Sequence, residues 1–249
     1  MQKTTCVIVP CYNEAKRLQG DLFISYIKEH RNIFFLFVND GSIDSTDLIL
    51  NDILQQDKNN ILVLSLPKNV GKAEAVRHGI LESLRWHRFD YIGYLDADLS
   101  SPLTEIQLLI NKIENDDSCK MIIGSRVKRL GATIKRNEVR HYLGRIVSTL
   151  TSVILKLPAY DTQCGLKIFS NEYAQHISST KFETTWLFDC EILARLLQRY
   201  GYKEITRTIY EIPLNTWIER GGSKIKIEYL FKIPRELYSI YKNILQVKQ

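Results

Sequence analysis

Cysteine is scarce in this chain, and what there is lies badly placed for the work cysteines do in groups. Cys6, Cys11, Cys119, Cys164 and Cys190 are odd in number and form no Cys-x-x-Cys pair, which excludes a disulfide framework and a zinc knuckle and points to reduced, cytosolic thiols. The five histidines (His30, His78, His87, His141, His176) show no ligand spacing and are assigned no role. Proline and glycine are sparse, 6 and 12 in 249 residues, and no linker, repeat or low-complexity tract interrupts the sequence, so residues 1–249 are expected to form one unit. Long apolar runs are missing as well. Stretches such as Ile33 to Val38 fall far short of the ~18 residues that span a bilayer, and Met1-Gln2-Lys3-Thr4-Thr5 leads at once into a short strand, so neither a membrane span nor a secretory signal is expected.

What is present is an ordinary enzyme composition with its charge in blocks. Hydrophobic residues make up 45% and charged residues 25%, enough to bury a full core at this length. Residues 120 to 145 hold Lys120, Arg126, Lys128, Arg129, Lys135, Arg136, Arg140 and Arg145 against Glu138 alone. Residues 220 to 249 hold seven basic groups against Glu228 and Glu236, yet the whole chain is only +6, so the remainder is net acidic. Such segregation implies a surface for an anionic partner. Beside the first block, Ile146, Val147, Leu150, Val153, Ile154 and Leu157 recur at helical intervals, with Ser148, Thr149, Thr151 and Ser152 on the other side. After Pro234, expected in a first helical turn, Leu237, Tyr238, Tyr241, Ile244 and Leu245 do the same near Lys242 and Lys248. Basic groups beside an apolar stripe describe a helix lying on an anionic membrane surface, although the same stripes would serve to pack on a core. Aromatic residues are scattered and no base-reading motif is present, so no nucleic-acid partner is expected.

Periodicity predicts strands at Cys6 to Pro10, Ile33 to Asn39, Ile61 to Ser65, Tyr91 to Asp96 and Met121 to Gly124. Helices are predicted between them at Leu18 to Glu29, Ser45 to Gln56, Lys72 to Arg85 and Leu103 to Asn115. This alternation gives a parallel sheet covered on both faces. Past Arg126 the pattern is mixed, with a helix from about Glu138 to Leu157, a strand near Leu166 to Phe169, a helix from Trp186 to Tyr200 and a strand from Lys203 to Ile212.

Asp96-Ala97-Asp98 closes the run Tyr91 to Leu95. Two carboxylates one residue apart, where a buried strand emerges, suit a hard divalent cation that also holds a diphosphate; a solvated turn before the next helix is the plainer alternative. Three further segments end in polar groups just before a helical pattern: Val7 to Glu14, Phe35 to Ser42 with Asp44 to Thr46, and Asn69-Val70-Gly71-Lys72. In an open α/β sheet such ends converge on one crevice. Together the four motifs resemble the family 2 glycosyltransferases. The resemblance implies their GT-A nucleotide-sugar-binding fold, an α/β fold with a mixed, mostly parallel central sheet and helices on both faces. Gly124-Ser125-Arg126, Asp161 to Lys167, Trp186 with Phe188-Asp189-Cys190-Glu191, Trp217-Ile218-Glu219 and Gly222-Ser223-Lys224 look like the dolichyl-phosphate β-glucosyltransferase branch, and in part like polyprenyl-phosphate sugar synthases. The membrane-bound relatives usually carry a hydrophobic anchor, and none is seen here.

The resemblance implies a nucleotide-sugar-binding half over residues 1–125 and an acceptor half over 126–249. The implied enzyme is inverting and moves a sugar, glucose by the branch, from a UDP-sugar to a polyprenyl phosphate, bound peripherally at the cytoplasmic face of a membrane. Pro10, Tyr12 and Glu14 would hold the nucleoside, Pro10 at the base and Glu14 at the ribose. Asp40 would accept the uracil N3–H and Lys72 would meet the diphosphate. Gln163, Trp217 and Lys224 would complete the donor site, the last two near a loop that closes over it. Asp98 would ligate Mg²⁺ or Mn²⁺, with Asp96 orienting the ribose or a metal-bound water. Arg126, Arg140 and Arg145, with Arg136 next, would position the lipid phosphate; Asp161 would orient that phosphate or act as a base toward a hydroxyl. Plainer alternatives stay open: Glu14 as a surface carboxylate, Asp44 to Thr46 as a helix cap, Lys72 as a solvated side chain, Trp186 as packing. Open too are a saccharide-hydroxyl acceptor in polysaccharide synthesis and a binding protein without turnover. Sugar identity and oligomeric state are not readable.

Overall fold

The structure is a computed structural model that describes residues 3–220 and 227–246. In chain order the first stretch is β1 (Thr5–Cys11), α1 (Gly20–Glu29), β2 (Ile33–Asn39), α2 (Thr46–Gln56), β3 (Ile61–Ser65), α3 (Lys72–Trp86), β4 (Tyr91–Leu95), α4 (Thr104–Glu114) and β5 (Met121–Ser125). There follow β6 (Thr133–Lys135), α5 (Glu138–Leu155), β7 (Leu166–Ser170), α6 (Asn171–Ser178), α7 (Phe188–Thr208), β8 (Ile209–Pro213), β9 (Thr216–Ile218), α8 (Ile227–Ser239) and a π-helix (Ile240–Leu245). Seven strands form one sheet in the order β3-β2-β1-β4-β7-β5-β8, with β7 antiparallel to both its neighbours and the other pairs parallel. The expected mixed, mostly parallel sheet is therefore present. Strand β2 is apolar from Ile33 to Val38 because helices cover both its faces, and only Phe34 keeps appreciable exposure. One apolar layer is filled from α3, α5, α6, α7 and α8, the other from α1, α2 and α4. Strand order reverses between β1 and β4, so their carboxyl ends open a crevice of the kind in which α/β sheets bind ligands.

Several expectations are corrected. The strand predicted from Lys203 to Ile212 begins only at Ile209; Lys203 to Thr208 continues α7 beyond a kink at Gly201, whose φ is +78°. Ile205 and Thr208 lie buried at helical spacing, and Thr206 and Thr208 return their hydroxyls to the carbonyls of Tyr202 and Glu204. Helix α7 starts at Phe188 rather than Trp186, because residues 183–187 form a loop whose amides are taken by the Glu191 and Glu236 carboxylates. Pro234 lies inside α8 rather than in a first turn. Helix α6 was not anticipated, although Ser170 caps it by accepting from the Tyr173 N–H. Nor was the parallel pair β6–β9, made of three-residue strands with too little pattern to read.

The stripe on α5 divides. The helix ends at Leu155 rather than Leu157; Val147 and, past its end, Leu157 are buried and Ile154 is half-buried, while Ile146, Leu150 and Val153 remain 57%, 45% and 69% exposed and share a face with Tyr142 at 65%. Ser148 and Thr151, expected on the outer side, turn inward instead. Thr151 Oγ1 lies 3.3 Å from Cys190 Sγ, so α7 supplies the hydrogen bond that makes burying the hydroxyl affordable. Ile233, Leu237, Ile240 and Ile244 likewise pack inward, leaving Tyr238 and Tyr241 exposed.

Candidate active site

Asp96 stands one residue past β4. Its backbone N–H donates to Gly165 O at 3.2 Å, and a β-carbon built on Gly165 would fall inside the Asp96 carboxylate. Only glycine therefore allows the approach to β7 to pass this close. Lys72, the first residue of α3, meets Asp96 Oδ1 at 2.5 Å, and both side chains remain 37–39% exposed, so the pair is reachable by a ligand. Burial weakens the Lys72 hold on its proton, but the Asp96, Asp189 and Asp98 carboxylates outweigh it and leave its pKa above the ordinary lysine value. Asp98 sits in a turn where Leu99 has φ +52° and accepts from the Ser100 N–H at 2.9 Å. Burial and the charge of Asp96 raise its carboxyl above the usual range.

On the β1 side, Pro10 and Tyr12 are half-buried at the strand end and Glu14 is buried, pairing with Arg17 at 2.5 Å. The Glu14 N–H donates to Thr46 Oγ1, and Asp44 accepts from the N–H groups of Thr46 and Ala15, so the cap of α2 also holds the turn after β1. Asp40 accepts from Val70 N at 2.7 Å, Gly71 N at 2.9 Å and Asn69 Nδ2 at 3.0 Å. Its carboxylate thus stitches the loop after β2 to the loop that carries Lys72, and burial keeps its pKa raised.

Across the crevice, Arg126 donates to Asp161 through Nε at 2.7 Å, Nη2 at 2.6 Å and its backbone N–H at 3.0 Å. Burial alone would raise the Asp161 pKa, but this two-pronged pairing brings it down to about 2. Asp161 is presented by Glu211, which accepts from the Tyr160 and Asp161 N–H groups at 2.7 Å each. Trp217 is buried in β9 with Arg126 5.4 Å from its ring, and Glu105 holds the approach to β9 by accepting from the N–H groups of Asn215 and Thr216. Arg145 lies 3.6 Å from the Tyr160 ring and donates to Tyr160 O. Gln163 donates to Trp186 O at 3.3 Å, and Trp186 packs against the core. Arg136 packs its guanidinium against Gly144 of α5. Arg140 lies on α5 with its side chain outside the described residues, as does Lys224 altogether.

Sequence reasoning gave Gly165 no role beyond its place in the Asp161 to Lys167 motif and overlooked Glu105 and Glu211, whose roles appear only once distant segments meet. It also missed the pairing of a buried trio, two of whose members, Lys167 and Asp189, it had only as motif residues. Lys167, fully buried in β7, donates to Asp189 Oδ1 at 2.5 Å and to Cys164 O at 2.6 Å, and the Tyr94 hydroxyl donates to the same Asp189 oxygen. The readable signal was a lysine set in the apolar run Leu166 to Phe169, which demands a buried partner.

The glycosyl transferase family 2 profile matches residues 6–178. A dolichyl-phosphate β-glucosyltransferase of Trichomonas vaginalis is 32% identical over 94% of this chain and 72% of its own length. Those of Dictyostelium discoideum and Homo sapiens are 33% and 32% identical over 88% and 90% of this chain and 68% and 70% of theirs. Among solved structures, glucosyl-3-phosphoglycerate synthase from Mycobacterium tuberculosis, in complex with Mn²⁺, UDP and glucosyl-3-phosphoglycerate, superposes with a TM-score of 0.70 at 15% identity. That superposition covers 99% of this chain and 81% of the synthase, so the two share the GT-A fold. The chain belongs to glycosyl transferase family 2.

Proposed function

We propose that this glycosyltransferase moves glucose from UDP-glucose to a polyprenyl phosphate, of dolichyl or undecaprenyl type, at a membrane surface, with inversion at the sugar C1. The observation that carries this reading is the Lys72–Asp96 pair beside Asp98 at the end of β4, near enough to the Arg126–Asp161 pair for the Asp96 charge to act on Arg126, in a chain whose relatives over nine-tenths of its length are dolichyl-phosphate β-glucosyltransferases. The first half holds the donor. Lys72, leaving Asp96, meets the diphosphate, and Pro10, Tyr12, Glu14 and Asp40 line the nucleoside side.

A divalent cation fits here. Asp98 and Asp96 are close enough that the charge of one raises the pKa of the other, and among the described residues no group of three or more His, Cys, Asp or Glu side chains gathers to hold a metal by itself. Two carboxylates completed by substrate phosphate and water are the usual holders of Mg²⁺ or Mn²⁺. Asp98 would ligate it, with Asp96 beside it. When bound, the cation would neutralise charge on the departing diphosphate.

The state of Asp161 favours a phosphate acceptor over a hydroxyl. A carboxyl with a pKa of about 2, held by both prongs of Arg126, is a poor base. A phosphate is already ionised and requires only positioning, which Arg126, Arg145 and Arg140 would supply. In-line attack on an α-linked donor yields a β-linked product. The exposed apolar face of α5, together with the exposed Lys128, Arg129 and Leu130 of the segment between β5 and β6, suits peripheral binding to an anionic bilayer, at the cytoplasmic face in this reading. No helix of the described residues is long and apolar enough to cross a membrane. Incubation with a panel of radiolabelled nucleotide sugars, Mn²⁺ and polyprenyl phosphate, followed by organic extraction, tests the reading. Label from UDP-glucose in the lipid phase is expected. Label only from GDP-mannose, or only on a saccharide, overturns it.

A further inference from the structure

Four charged groups meet around the buried ring of Tyr94. Lys72 Nζ lies 5.8 Å from its centroid and Lys167 Nζ 5.3 Å, while its hydroxyl is held by Asp189, the partner of Lys167. Tyr94 and Lys167 are register partners on antiparallel β4 and β7, and Tyr94 is two residues before Asp96, so the ring lies directly below the Lys72–Asp96 pair. Phe188, next to Asp189 at the start of α7, places its own ring 5.6 Å from Lys72 Nζ. Lys167 and Tyr94 are fully buried and Asp189 nearly so. The fold alone gives little reason for this arrangement, because a buried ion pair is commonly replaceable by apolar side chains of similar volume without loss of stability.

We propose that the Lys167–Asp189 pair, acting through Tyr94, sets the position of Lys72. Lys167 answers the Asp189 charge and thereby leaves Lys72 to Asp96 and, on the reading given above, to the donor diphosphate. Neither Lys167 nor Asp189 touches substrate in that reading; both are positioning residues. Lys72 feels Asp189 as well as Asp96. Without Lys167, Asp189 becomes a buried, uncompensated carboxylate that draws Lys72 inward. Without Asp189, Lys167 becomes an unpaired cation near the same ring and drives Lys72 outward. The two losses act in opposite directions, and losing both restores the balance.

The test needs no substrate. The full chain is acetylated with limiting acetic anhydride, and the rate at Lys72 is followed by peptide mass spectrometry against the exposed Lys58. Lys167→Met is expected to slow labelling of Lys72 several-fold and Asp189→Asn to speed it several-fold. The double variant should return to within about twofold of the parent, as mutually compensating neighbours do. Changes of the same sign in both single variants, or none, overturn the proposal, since a merely structural pair would loosen the site either way. Should a single variant fail to fold, Tyr94→Phe keeps the volume while removing one donor from Asp189 and is expected to slow labelling; unchanged or faster labelling then counts against it. Calorimetry with UDP and Mn²⁺ adds the donor arm, in which weaker binding by Lys167→Met recovers in the double variant. A parent protein that binds no UDP would overturn the donor reading and leave the labelling to decide this one.

Discussion

From β1 to β4 each strand hands over to a helix of its own and the strands lie parallel, whereas past Arg126 the chain runs through a reversed strand, three-residue strands and long loops. In the first region Asp96 and Lys72 stand at the ends of elements fixed by ladders and turns of hydrogen bonds. In the second, loops hang on one or two carboxylates, Glu211 half-buried and Glu105, Glu191 and Glu236 buried. Glu211 holds residues 160–161, Glu105 holds 215–216, and Glu191 and Glu236 hold 183–187. A ladder survives the loss of one bond; a loop on one carboxylate does not. The first region should therefore fail through chemistry, and the second through loss of structure.

The sharpest break in the first region is Asp98→Asn, expected on the proposed function to lower transfer on the order of 100-fold or more, as when several kcal/mol of charge stabilisation are removed. The same reading requires that EDTA abolish the activity of the parent and that Mg²⁺ or Mn²⁺ restore it; full activity in chelator rejects a metal role. Gly165→Ala should follow, because its β-carbon must displace Asp96. Misplacement of about 1 Å costs on the order of 100-fold or less in transfer, and a circular-dichroism melt should show the fold intact. In the second region, Glu236→Gln removes the carboxylate that serves the N–H groups of Thr185, Trp186 and Leu187. A loss of about 1–3 kcal/mol is expected from urea denaturation; an unchanged midpoint would erase the contrast.

A smaller effect concerns Asp161. Its pKa is about 2 when folded, below the ordinary carboxyl value, so its contribution is fully present above that ordinary value and is lost as pH falls toward 2. That contribution is on the order of 2 kcal/mol. The stability of the parent should fall over this window, and Asp161→Asn should flatten that part of the curve. Smallest for the fold is Val153→Asp on the exposed face of α5, expected within about 0.5 kcal/mol of the parent while lowering sedimentation with anionic vesicles. Unaltered sedimentation would remove α5 from the membrane reading.

What could be read in advance follows the same divide. Strand β2 fell where its apolar run lies, and β4 to within one residue, because burial on both faces leaves a continuous signal; the edge strand β3, half-exposed, was still marked by its apolar run Ile61 to Leu64. Asp96, Asp98 and Lys72 were legible as motifs beside those strands, and they do meet. The pairing of Arg126 with Asp161 was not legible, since 35 residues separate them and either could face a ligand instead. Asp40 illustrates the limit: its place at the crevice was readable, but its engagement with Val70 and Gly71 was not, because that depends on how two loops approach. The α5 stripe was visible as a period, yet which part of it faces inward is decided by α7, through contacts such as Thr151 with Cys190.

The reversed strand also bears on how such a chain is assembled. In the finished sheet β5 lies between β7 and β8, both made after it, and β7 stands between β4 and β5. A polypeptide emerging from the ribosome that has reached Ser125 can already zip β1 to β4, but β5 must wait for partners not yet synthesised. Waiting strands with unsatisfied edges are slow to close and prone to pair wrongly. The residues 161–165 that complete the crevice arrive as the lead-in to β7, so competence would come late and in one step.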